Sequence, residues 1–450
     1  MIIQKFGGTS VGSAERMKHV AALICDEKQK IVVLSAMAGT TNSLVSIAEH
    51  LHEKKYDEAQ TLIAALEEQY EREIEALFAN KINQLHALEM IRSRFEYIRS
   101  FGLDMFTVHE EKAILAQGEF LSTELFQLYL SEQQKNSVLL DATKFMRLDL
   151  NGEPDTSFIQ KHLREILKNH PNVTYFITQG FVCRNAFGEI DNLKRGGSDY
   201  SASLIGAAVQ AHEIQIWTDI DGMHNNDPRI VAGTRPIARL TFDEAAELAY
   251  FGAKILHPSS VLPAQNANIP VRLKNTMDPK AEGTLISNEA NERKAVVTAV
   301  AAKDQITAVK IKSGRMLMAY GFLRKIFEVF ETYKTPIDMI TTSEVAVSLT
   351  IDHEKHLYEI VQDLAHFGHV EVDQNLTIIC VVGNFIAEEK GCARLIFDAL
   401  ADIPIRMISY GGSRHNVSIL VNAAYKNAAL QAIFNQLQNN DDDTTAYSRT

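Results

Sequence analysis

The chain has 450 residues, and its 57 Asp plus Glu against 45 Lys plus Arg give a formal net charge of −12. This acidic balance argues against a nucleic-acid-binding protein, which needs a basic surface, and 46% hydrophobic residues exclude a wholly disordered chain. No stretch approaches the roughly 20 apolar residues of a membrane-spanning helix, and residues 1–3 are too short an apolar run for a signal peptide. We therefore expect a cytoplasmic protein with no nucleic-acid partner and no membrane partner.

The chain up to about residue 290 has the pattern of an α/β domain with a largely parallel central sheet. Residues 44–100 carry apolar side chains at helical spacing, from Leu62 and Leu66 to Leu77, and predict long amphipathic helices. Short apolar runs predict buried strands, with helical segments between most of them. These runs are residues 2–5, 31–34, 137–140, 173–177, 214–217 and 271–273. Ligands of such folds bind where strands end, so the loops that follow strands are the candidate sites.

After about residue 290 the sequence contains an internal repeat. Ile326-Phe327 corresponds to Ile396-Phe397, at an offset of about 70 residues. Each copy predicts strand, helix, strand, strand and helix, and the first copy ends in a further strand near residues 369–372. Residues 296–301 can supply the strand that the second copy lacks, which would place the first copy inside the second.

The first glycine-rich loop, KFGGTS at residues 5–10, follows a predicted strand and precedes a helix. Gly7 and Gly8 allow backbone amides to approach an anion closely, and Lys5 adds a positive charge. Thr9 or Ser10 can cap the helix. A simple turn with a capped helix is the alternative interpretation of this loop.

The second glycine-rich loop, RGGSD at residues 195–199, has the same design. Arg195 offers a planar fork that suits a carboxylate. Asp199 can cap the following helix and can also orient Lys5 or a substrate amine. Two such loops, each beside a cation and each leading into a helix, together favour phosphoryl chemistry.

Three further positions are candidates. The loop 218–229 (TDIDGMHNNDPR) lacks the spacing of an EF-hand, and its carboxylates and amides suit a ribose and base, with Arg229 near the phosphates. Lys254 either contacts phosphate or only complements the dipole at the end of a helix. Glu119 either receives a substrate ammonium group or only complements the dipole at the start of a helix. The four cysteines form no C-x-x-C pair and no local cluster predicts a metal site.

Taken in order, the motifs of this chain resemble those of the aspartokinases, closest to the monofunctional, lysine-sensitive type. The likeness covers almost the whole chain. The motifs are KFGGTS at residues 5–10, VLSAMAGTTN at 33–42, GE at 118–119, RGGSD at 195–199, TDIDG and DPR within 218–229, FGAKILHP at 251–258 and ITTSEVAVSLT at 340–350.

The resemblance implies an amino-acid kinase fold, with a mainly parallel sheet between helix layers, followed by two α+β ferredoxin-like ACT domains. It implies a catalytic domain at residues 1–290 and a regulatory region at 291–450. The first ACT domain would span about 306–373, and the second about 294–303 plus 375–440.

The implied reaction is transfer of the γ-phosphate of ATP to the β-carboxylate of L-aspartate, giving 4-phospho-L-aspartate. This is the first step of lysine, threonine and methionine biosynthesis. Mg²⁺ would be carried with ATP, without a dedicated protein metal site. Two alternatives remain open: another amino-acid kinase with a different acceptor, and a catalytically dead amino-acid sensor.

The resemblance also implies roles for individual residues. Lys5 and Asp199 would be catalytic. The ATP contacts would be Lys5, Gly7, Gly8, Thr218, Asp219, His224, Arg229, Lys254 and Ile255, although tyrosine is usual at the position of His224. The aspartate contacts would be Ser35, Thr41, Glu119, Arg195, Gly196, Gly197 and Ser198, with Arg195 on the α-carboxylate and Glu119 on the ammonium group.

The resemblance further implies feedback inhibition, with lysine as the effector and threonine as the competing candidate. Carboxylates suit the ammonium groups of lysine. The implied effector contacts are Met316, Phe322, Leu323, Ile337, Asp338, Thr342, Ser343 and Glu344. ACT domains commonly pair side by side, so a homodimer or a dimer of dimers is expected.

Overall fold

The computed structural model describes residues 1–26, 28–103, 106–193, 196–252, 256–289, 297–314 and 320–447. The strands of this part of the chain are β1 Ile2–Phe6, β2 Lys30–Leu34, β3 Ser137–Leu140, β4 Tyr175–Gln179, β5 Val182–Arg184, β6 Ile190–Asn192, β7 Glu213–Thr218, β8 Arg239–Thr241, β9 Val271–Asn275, β10 Thr284–Ser287, β11 Ala299–Lys312, β12 Ile340–Thr342, β13 Ala346–Ile351, β14 His369–Val382, β15 Ile405–Tyr410 and β16 Asn416–Asn422.

The α-helices of the same residues are α1 Ala14–Ile24, α2 Thr40–His52, α3 Tyr56–Leu77, α4 Lys81–Ser100, α5 Val108–Leu115, α6 Gln117–Glu132, α7 Thr156–Lys168, α8 Gly197–Val209, α9 Phe242–Tyr250, α10 Pro258–Asn266, α11 Phe322–Thr332, α12 Leu357–Ala365, α13 Cys392–Ala399 and α14 Lys426–Tyr447. None of the helices in the described ranges is long and apolar enough to cross a membrane.

The chain divides into two compact units. The first comprises Met1–Met223, Ala238–Phe242 and Ile255–Glu289, and the second comprises His224–Ile237, Asp243–Lys254 and Ala290–Thr450. Compact units and functional domains need not share limits, so the domain limits 1–290 and 291–450, and those of the two ACT domains, stay predictions.

The sheet of the first unit has the order β3-β4-β2-β1-β7-β9-β10-β8 among the described strands. Strands β3, β4, β2, β1, β7 and β9 run parallel to one another, and β10 is antiparallel to β9. All five residues of β2 and of β4 are buried, as expected when helices cover both faces of a parallel sheet. The predicted α/β fold with a mainly parallel sheet is confirmed.

One hydrophobic core of this unit lies between the sheet and the early helices. Helix α3 contributes a buried stripe of Ala59, Ile63, Leu66, Tyr70, Ile74 and Leu77. The predicted helix is confirmed, but Ile63 rather than Leu62 points into the core, and Leu62 packs at its edge. The helices thereby hold β1 and β2 in place, and the loops after these two strands contribute to the candidate site described below.

The second unit contains a sheet with the described strand order β12-β13-β11-β14-β16-β15. Its neighbours pair antiparallel, and two apolar clusters lie against it. Helices α11 and α12 contribute to one cluster, and α13 and α14 to the other. This α+β arrangement of strands and helices confirms the predicted ACT architecture.

The two repeats share strands, which the sequence interpretation did not predict. The sequence predicts a strand at residues 296–301 for the second copy and a separate first ACT domain that starts at about residue 306, whereas β11 runs continuously from Ala299 to Lys312 beside β14. The register shifts between Lys303 and Ile306, where Gln305 has a φ of +61°. A bulge of this kind bends the strand and lets pairing continue on both sides.

Candidate active site

Lys5 lies near the carboxyl end of β1, Asp199 lies in the first turn of α8, and their side chains form an ion pair. Nζ and Oδ1 are 2.7 Å apart, and the two side chains are only 11% and 12% exposed. Because both side chains are largely removed from water, removing either charge would leave the other unpaired and would destabilise the fold. The structure therefore brings together the two residues predicted to be catalytic, with Asp199 positioned to orient Lys5.

The first glycine-rich loop packs closely against the ends of its neighbouring strands. The Gly7 N–H donates to the carbonyl oxygen of Trp217 (3.3 Å) at the end of β7. A Cβ atom added to Gly8 would lie 2.9 Å from the carbonyl oxygen of Ala36, after β2. A side chain at residue 8 would therefore force apart the loops that follow β1 and β2.

The helix after this loop has a different cap from the predicted one. Helix α1 begins at Ala14, and the Ser13 hydroxyl accepts the N–H of Arg16. The prediction that Thr9 or Ser10 caps it was wrong, because the chain continues past them to Gly12, where an added Cβ would lie 2.8 Å from that of Ala38. The helix consequently starts later than the loop pattern suggests.

A cleft of about 660 Å³ opens beside this loop within the first unit. Its wall combines the loops after β1 and β2, the start of α6 and the start of α8. Seven of the predicted ATP or aspartate contacts line it, namely Gly8, Ser35, Thr41, Glu119, Gly196, Gly197 and Ser198. Residues from four separated stretches of sequence therefore converge as predicted, while their individual roles stay predictions.

Glu119 is a buried carboxylate in the wall of this cleft and is 4% exposed. Its Oε1 accepts the backbone N–H of Ala36 at 3.2 Å, whereas its Oε2 has no hydrogen-bond partner among the described residues. Burial raises the pKa of Glu119 to about 8, against the opposing effects of the Ala36 N–H and the positive charge of Lys5. A cationic group bound in the cleft would satisfy Oε2 and lower this pKa.

The second glycine-rich loop enters α8 through a left-handed residue. Gly196 has a φ of +72°, and a Cβ added there would lie 2.8 Å from the Cβ of His257. The hairpin β5–β6, which leads towards this loop, is tied to α5 by the Lys112–Asp191 ion pair (2.7 Å). Arg195, the predicted partner of the substrate carboxylate, lies outside the described residues.

We expect Gly196→Ala to lower the free energy of unfolding by about 2 to 4 kcal/mol, since it combines a left-handed φ with a close contact. Gly188→Ala is the matched control, because Gly188 has a φ of +86° and open space around its Cβ position. Urea unfolding of both variants separates the backbone effect from the contact. Equal losses in the two variants would show that the His257 contact has no effect.

The predicted nucleotide contacts lie in both units. Thr218 and Asp219 belong to the first unit, where the Thr218 hydroxyl accepts the N–H of Ile220 at 3.1 Å and so shapes the turn after β7. His224 and Arg229 belong to the second unit. Lys254 and Ile255 lie outside the described residues. A shared role of these residues in nucleotide binding stays a prediction.

Arg229 already has a strong partner in the structure. Its Nε and Nη2 donate to the two carboxylate oxygens of Asp227 at 2.9 and 2.7 Å. This fork-like pair lowers the pKa of Asp227, with the hydrogen bond to Arg229 as the largest cause. The Arg229 side chain is 85% exposed, so it can exchange this partner for a phosphate at little desolvation cost.

The predicted effector contacts do not share one environment. Phe322 is buried in the core formed with α12, and Ile337 packs against that core, while Leu323, Glu344 and the two hydroxyl residues are exposed. Thr342 and Ser343 line a separate cavity of about 520 Å³ together with Lys310 and Lys312. Met316 lies outside the described residues.

Asp338 is paired with groups of its own chain. Its Oδ1 lies 2.6 Å from Lys303 Nζ and accepts the hydroxyl of Tyr250 at 2.7 Å. Lys303 also lies 2.9 Å from Asp352 and above the ring of Tyr250. An effector ammonium at Asp338 would therefore have to share this carboxylate with Lys303.

Two residues near the site were not identified from the sequence. Phe181 lines the cleft with a φ of +64°, and its ring lies where a side chain on Gly197 would be. Thr276 contacts Ser10 from the loop after β9, 2.7 Å away. Neither has a local sequence signal, because a positive φ at a phenylalanine and a contact 266 residues along the chain both depend on the folded structure.

The described part of the chain contains no group of three or more His, Cys, Asp or Glu side chains that could hold a metal ion. The expectation that Mg²⁺ arrives with ATP stays a prediction. Within those residues, a metal ion would have to take most of its ligands from the phosphates and water.

The sequence matches two protein-family models and several aspartokinases. Residues 1–275 match the model described as "Amino acid kinase family", and residues 379–437 match the model described as "ACT domain". The chain is 34% identical to lysine-sensitive aspartokinase 3 of Escherichia coli over 94% of this chain and 95% of the relative. It is 36% identical to the chloroplastic aspartokinase 3 of Arabidopsis thaliana, over 93% and 78%.

Two solved structures of E. coli aspartokinase III are similar along the chain. One, in complex with aspartate and ADP, has a TM-score of 0.79 at 33% identity and covers 97% of this chain and 99% of that one. The other, in complex with lysine and aspartate, has a TM-score of 0.81 with the same identity and coverage. The described fold, the converging glycine-rich loops and these likenesses show that this chain belongs to the aspartokinases, within the amino acid kinase family.

Proposed function

We propose that this protein transfers the γ-phosphate of ATP to the β-carboxylate of L-aspartate and releases 4-phospho-L-aspartate and ADP. The observation that carries the proposal is the cleft of the first unit, which is lined by Gly8 of the glycine-rich loop and by the buried Glu119. The Lys5–Asp199 pair lies beside the same loop, with Lys5 Nζ 3.7 Å from the Cβ position of Gly7. The relatives at 34% and 36% identity are aspartokinases, and a similar solved structure holds aspartate and ADP.

The groups in and beside the cleft suit both the transferred phosphoryl group and the acceptor amino acid. A phosphoryl group in transfer carries negative charge on its oxygens, and catalysis consists mainly of positioning and charge neutralisation. Lys5 supplies a positive charge held by Asp199 at 2.7 Å. Mg²⁺ carried with ATP would neutralise further phosphate charge. No covalent intermediate with the protein is needed, since the acceptor carboxylate attacks the phosphorus directly.

Glu119 suits the ammonium group of the acceptor amino acid. Its Oε2 lacks a partner among the described residues and lies in a buried wall of the cleft. Ser35, Thr41 and Ser198 add polar side chains to the same cleft, and the Gly196 and Gly197 segment adds backbone. A small amino acid with a second carboxylate fits this set, with its side chain directed at the glycine-rich loop.

The test is release of ADP from Mg-ATP with L-aspartate, compared with L-glutamate, N-acetylglutamate and no acceptor. We expect turnover with aspartate and little with the others. Turnover with another carboxylate alone would assign the protein to a different acceptor within the amino acid kinase family. The same assay with lysine or threonine tests regulation, for which lysine is our proposal, because a similar solved structure holds lysine.

We expect Glu344→Ala to raise the lysine concentration for half-inhibition by about 10- to 100-fold, the effect of losing one charge-assisted contact. Glu344 is exposed in the second unit. Glu328→Ala is the control, because Glu328 is an exposed carboxylate on α11 that pairs with Arg324. Each variant's rate without lysine is its own reference. Unchanged inhibition in Glu344→Ala would place the effector elsewhere.

The same reasoning extends to assembly and location. We propose a homodimer or a dimer of dimers that forms through the ACT region, in a cytoplasmic protein. Light scattering with and without lysine tests the assembly.

A further inference from the structure

Thr276, just after β9, is bonded to three separate segments of the first unit. Its Oγ1 lies 2.7 Å from the Oγ of Ser10, and its N–H donates to the carbonyl oxygen of Thr218 at 2.7 Å. Its own carbonyl oxygen lies 2.8 Å from Nε2 of His19, on α1. Thr276 and Ser10 are each 2% exposed.

Two of the three segments joined by Thr276 are loops that would hold a nucleotide. Ser10 ends the first glycine-rich loop, which contains Gly7 and Gly8. Thr218 begins the loop after β7, and the Gly7 N–H donates to Trp217, one residue earlier. Thr276 therefore completes a closed set of hydrogen bonds between the two loops, within a sheet where β7 and β9 pair side by side.

The hydroxyl of Thr276 has a more specific effect than filling space. Valine has nearly the same shape, so packing alone does not require an oxygen there. The Ser10 hydroxyl donates to the carbonyl oxygen of Trp217 at 3.5 Å and can accept from the Thr276 hydroxyl at 2.7 Å. The shorter of these contacts is lost without the Thr276 oxygen, so both are needed to fix the direction of the Ser10 side chain. Through Ser10, this contact sets the position of the glycine-rich loop.

We propose that Thr276 is a positioning residue for the nucleotide. Its hydroxyl holds Ser10, and hence the glycine-rich loop, in register with Thr218, so that Gly8 and Lys5 face the terminal phosphates. Thr276 is buried and does not line the cleft, so it acts through Ser10. The proposal rests on the proposed kinase function, but it concerns the nucleotide rather than the acceptor.

The kinetic test compares Thr276→Val with Thr276→Ser. We expect Thr276→Val to lower kcat/KM for ATP about tenfold, as a small displacement of a phosphate-binding loop does, and to leave KM for aspartate within twofold. Thr276→Ser keeps the hydroxyl and restores kcat/KM to within twofold. Thr143→Val is the matched control, because its hydroxyl makes a 2.7 Å hydrogen bond to Asp141, and neither residue lines the cleft.

A double-variant test addresses the contact itself and remains usable if one variant folds poorly. Ser10→Ala removes the same hydrogen bond from its other side. If the two hydroxyls act as one unit, Ser10→Ala combined with Thr276→Val is no slower than the slower single variant. Effects that simply multiply would overturn the proposal, as would a Thr276→Ser variant as impaired as Thr276→Val.

Nucleotide binding can be measured without any acceptor. Trp217 is the chain's single tryptophan, stacks on Phe6 and accepts the Gly7 N–H through its carbonyl oxygen, so its fluorescence reports on this loop. We expect Mg-ADP to bind Thr276→Val about tenfold more weakly than the wild type, and unchanged affinity would overturn the proposal. A wild type that binds Mg-ADP without phosphorylating aspartate would refute only the proposed reaction, and one that binds no Mg-ADP would refute both proposals.

Discussion

Replacing Lys5 by alanine is expected to reduce kcat by about 10³-fold, the upper range for removing one group that stabilises charge in a transition state. The positive charge of Lys5 lies near the end of β1, directly before the glycine-rich loop, and Asp199 fixes its direction at 2.7 Å. The measurement is ADP release at saturating Mg-ATP and aspartate. A rate within tenfold of the wild type would show that Lys5 does not face the transferred phosphoryl group.

The control must separate lost chemistry from lost stability. Lys5→Ala leaves the 12% exposed Asp199 without its partner, which by itself destabilises the fold. The double variant with Asp199→Asn removes that unpaired charge, so we expect it to regain thermal stability and to remain inactive. Lys18→Ala, on α1 in the same unit, serves as a lysine control, since Lys18 bonds only the carbonyl of Ala76 among the contacts described for it.

Replacing Glu119 by glutamine is expected to lower kcat/KM for aspartate by about 100-fold, or about 2.7 kcal/mol, because a buried carboxylate that receives an ammonium group becomes neutral. The amide keeps the size of the side chain and can still accept the Ala36 N–H. Glu124→Gln is the control on the same helix, where the carboxylate pairs with Arg94. Equal aspartate kinetics in both variants would exclude Glu119 from the substrate site.

The pH dependence supplies a second measurement on Glu119. Burial raises the pKa of this carboxyl group to about 8, so below that pH the free site holds mostly the neutral acid. Only the ionised form attracts an ammonium group as an ion pair. We therefore expect kcat/KM for aspartate to rise with pH up to about 8 and then to level off, and Glu119→Gln to lose this rise.

The strands and the main loops of the first unit could be predicted because their signals are local. Strand β2 is buried at all five positions, and its apolar run, residues 31–34, is visible in four letters of sequence. The glycine-rich loops are equally local signals. A Cβ atom would lie 2.9 Å from the carbonyl oxygen of Ala36 at Gly8 and 2.8 Å from the Cβ of His257 at Gly196, so both positions require glycine. The reaction and the roles of these residues were predicted from the resemblance to the aspartokinases.

The predictions that were wrong or missing concern contacts between distant parts of the chain. Serine is a common helix-capping residue, but the hydroxyl of Ser10 bonds to Thr276, and Ser13 caps α1 instead. Asp338 has the chemistry of an effector contact, but Lys303 already pairs with it in the folded unit. Such choices between competing partners are made by tertiary packing, and no local pattern encodes them.

The shared strands of the second unit have a consequence for how the protein is made. Residues 307–312 of β11 pair with β13, whereas residues 299–303 pair with residues 378–382 of β14. On a ribosome the later half of β11 can therefore find a partner first, while its earlier half waits for about 30 more residues to emerge. Until then, it is an open apolar edge, so translation speed across residues 352–382 should govern how much of the nascent protein aggregates.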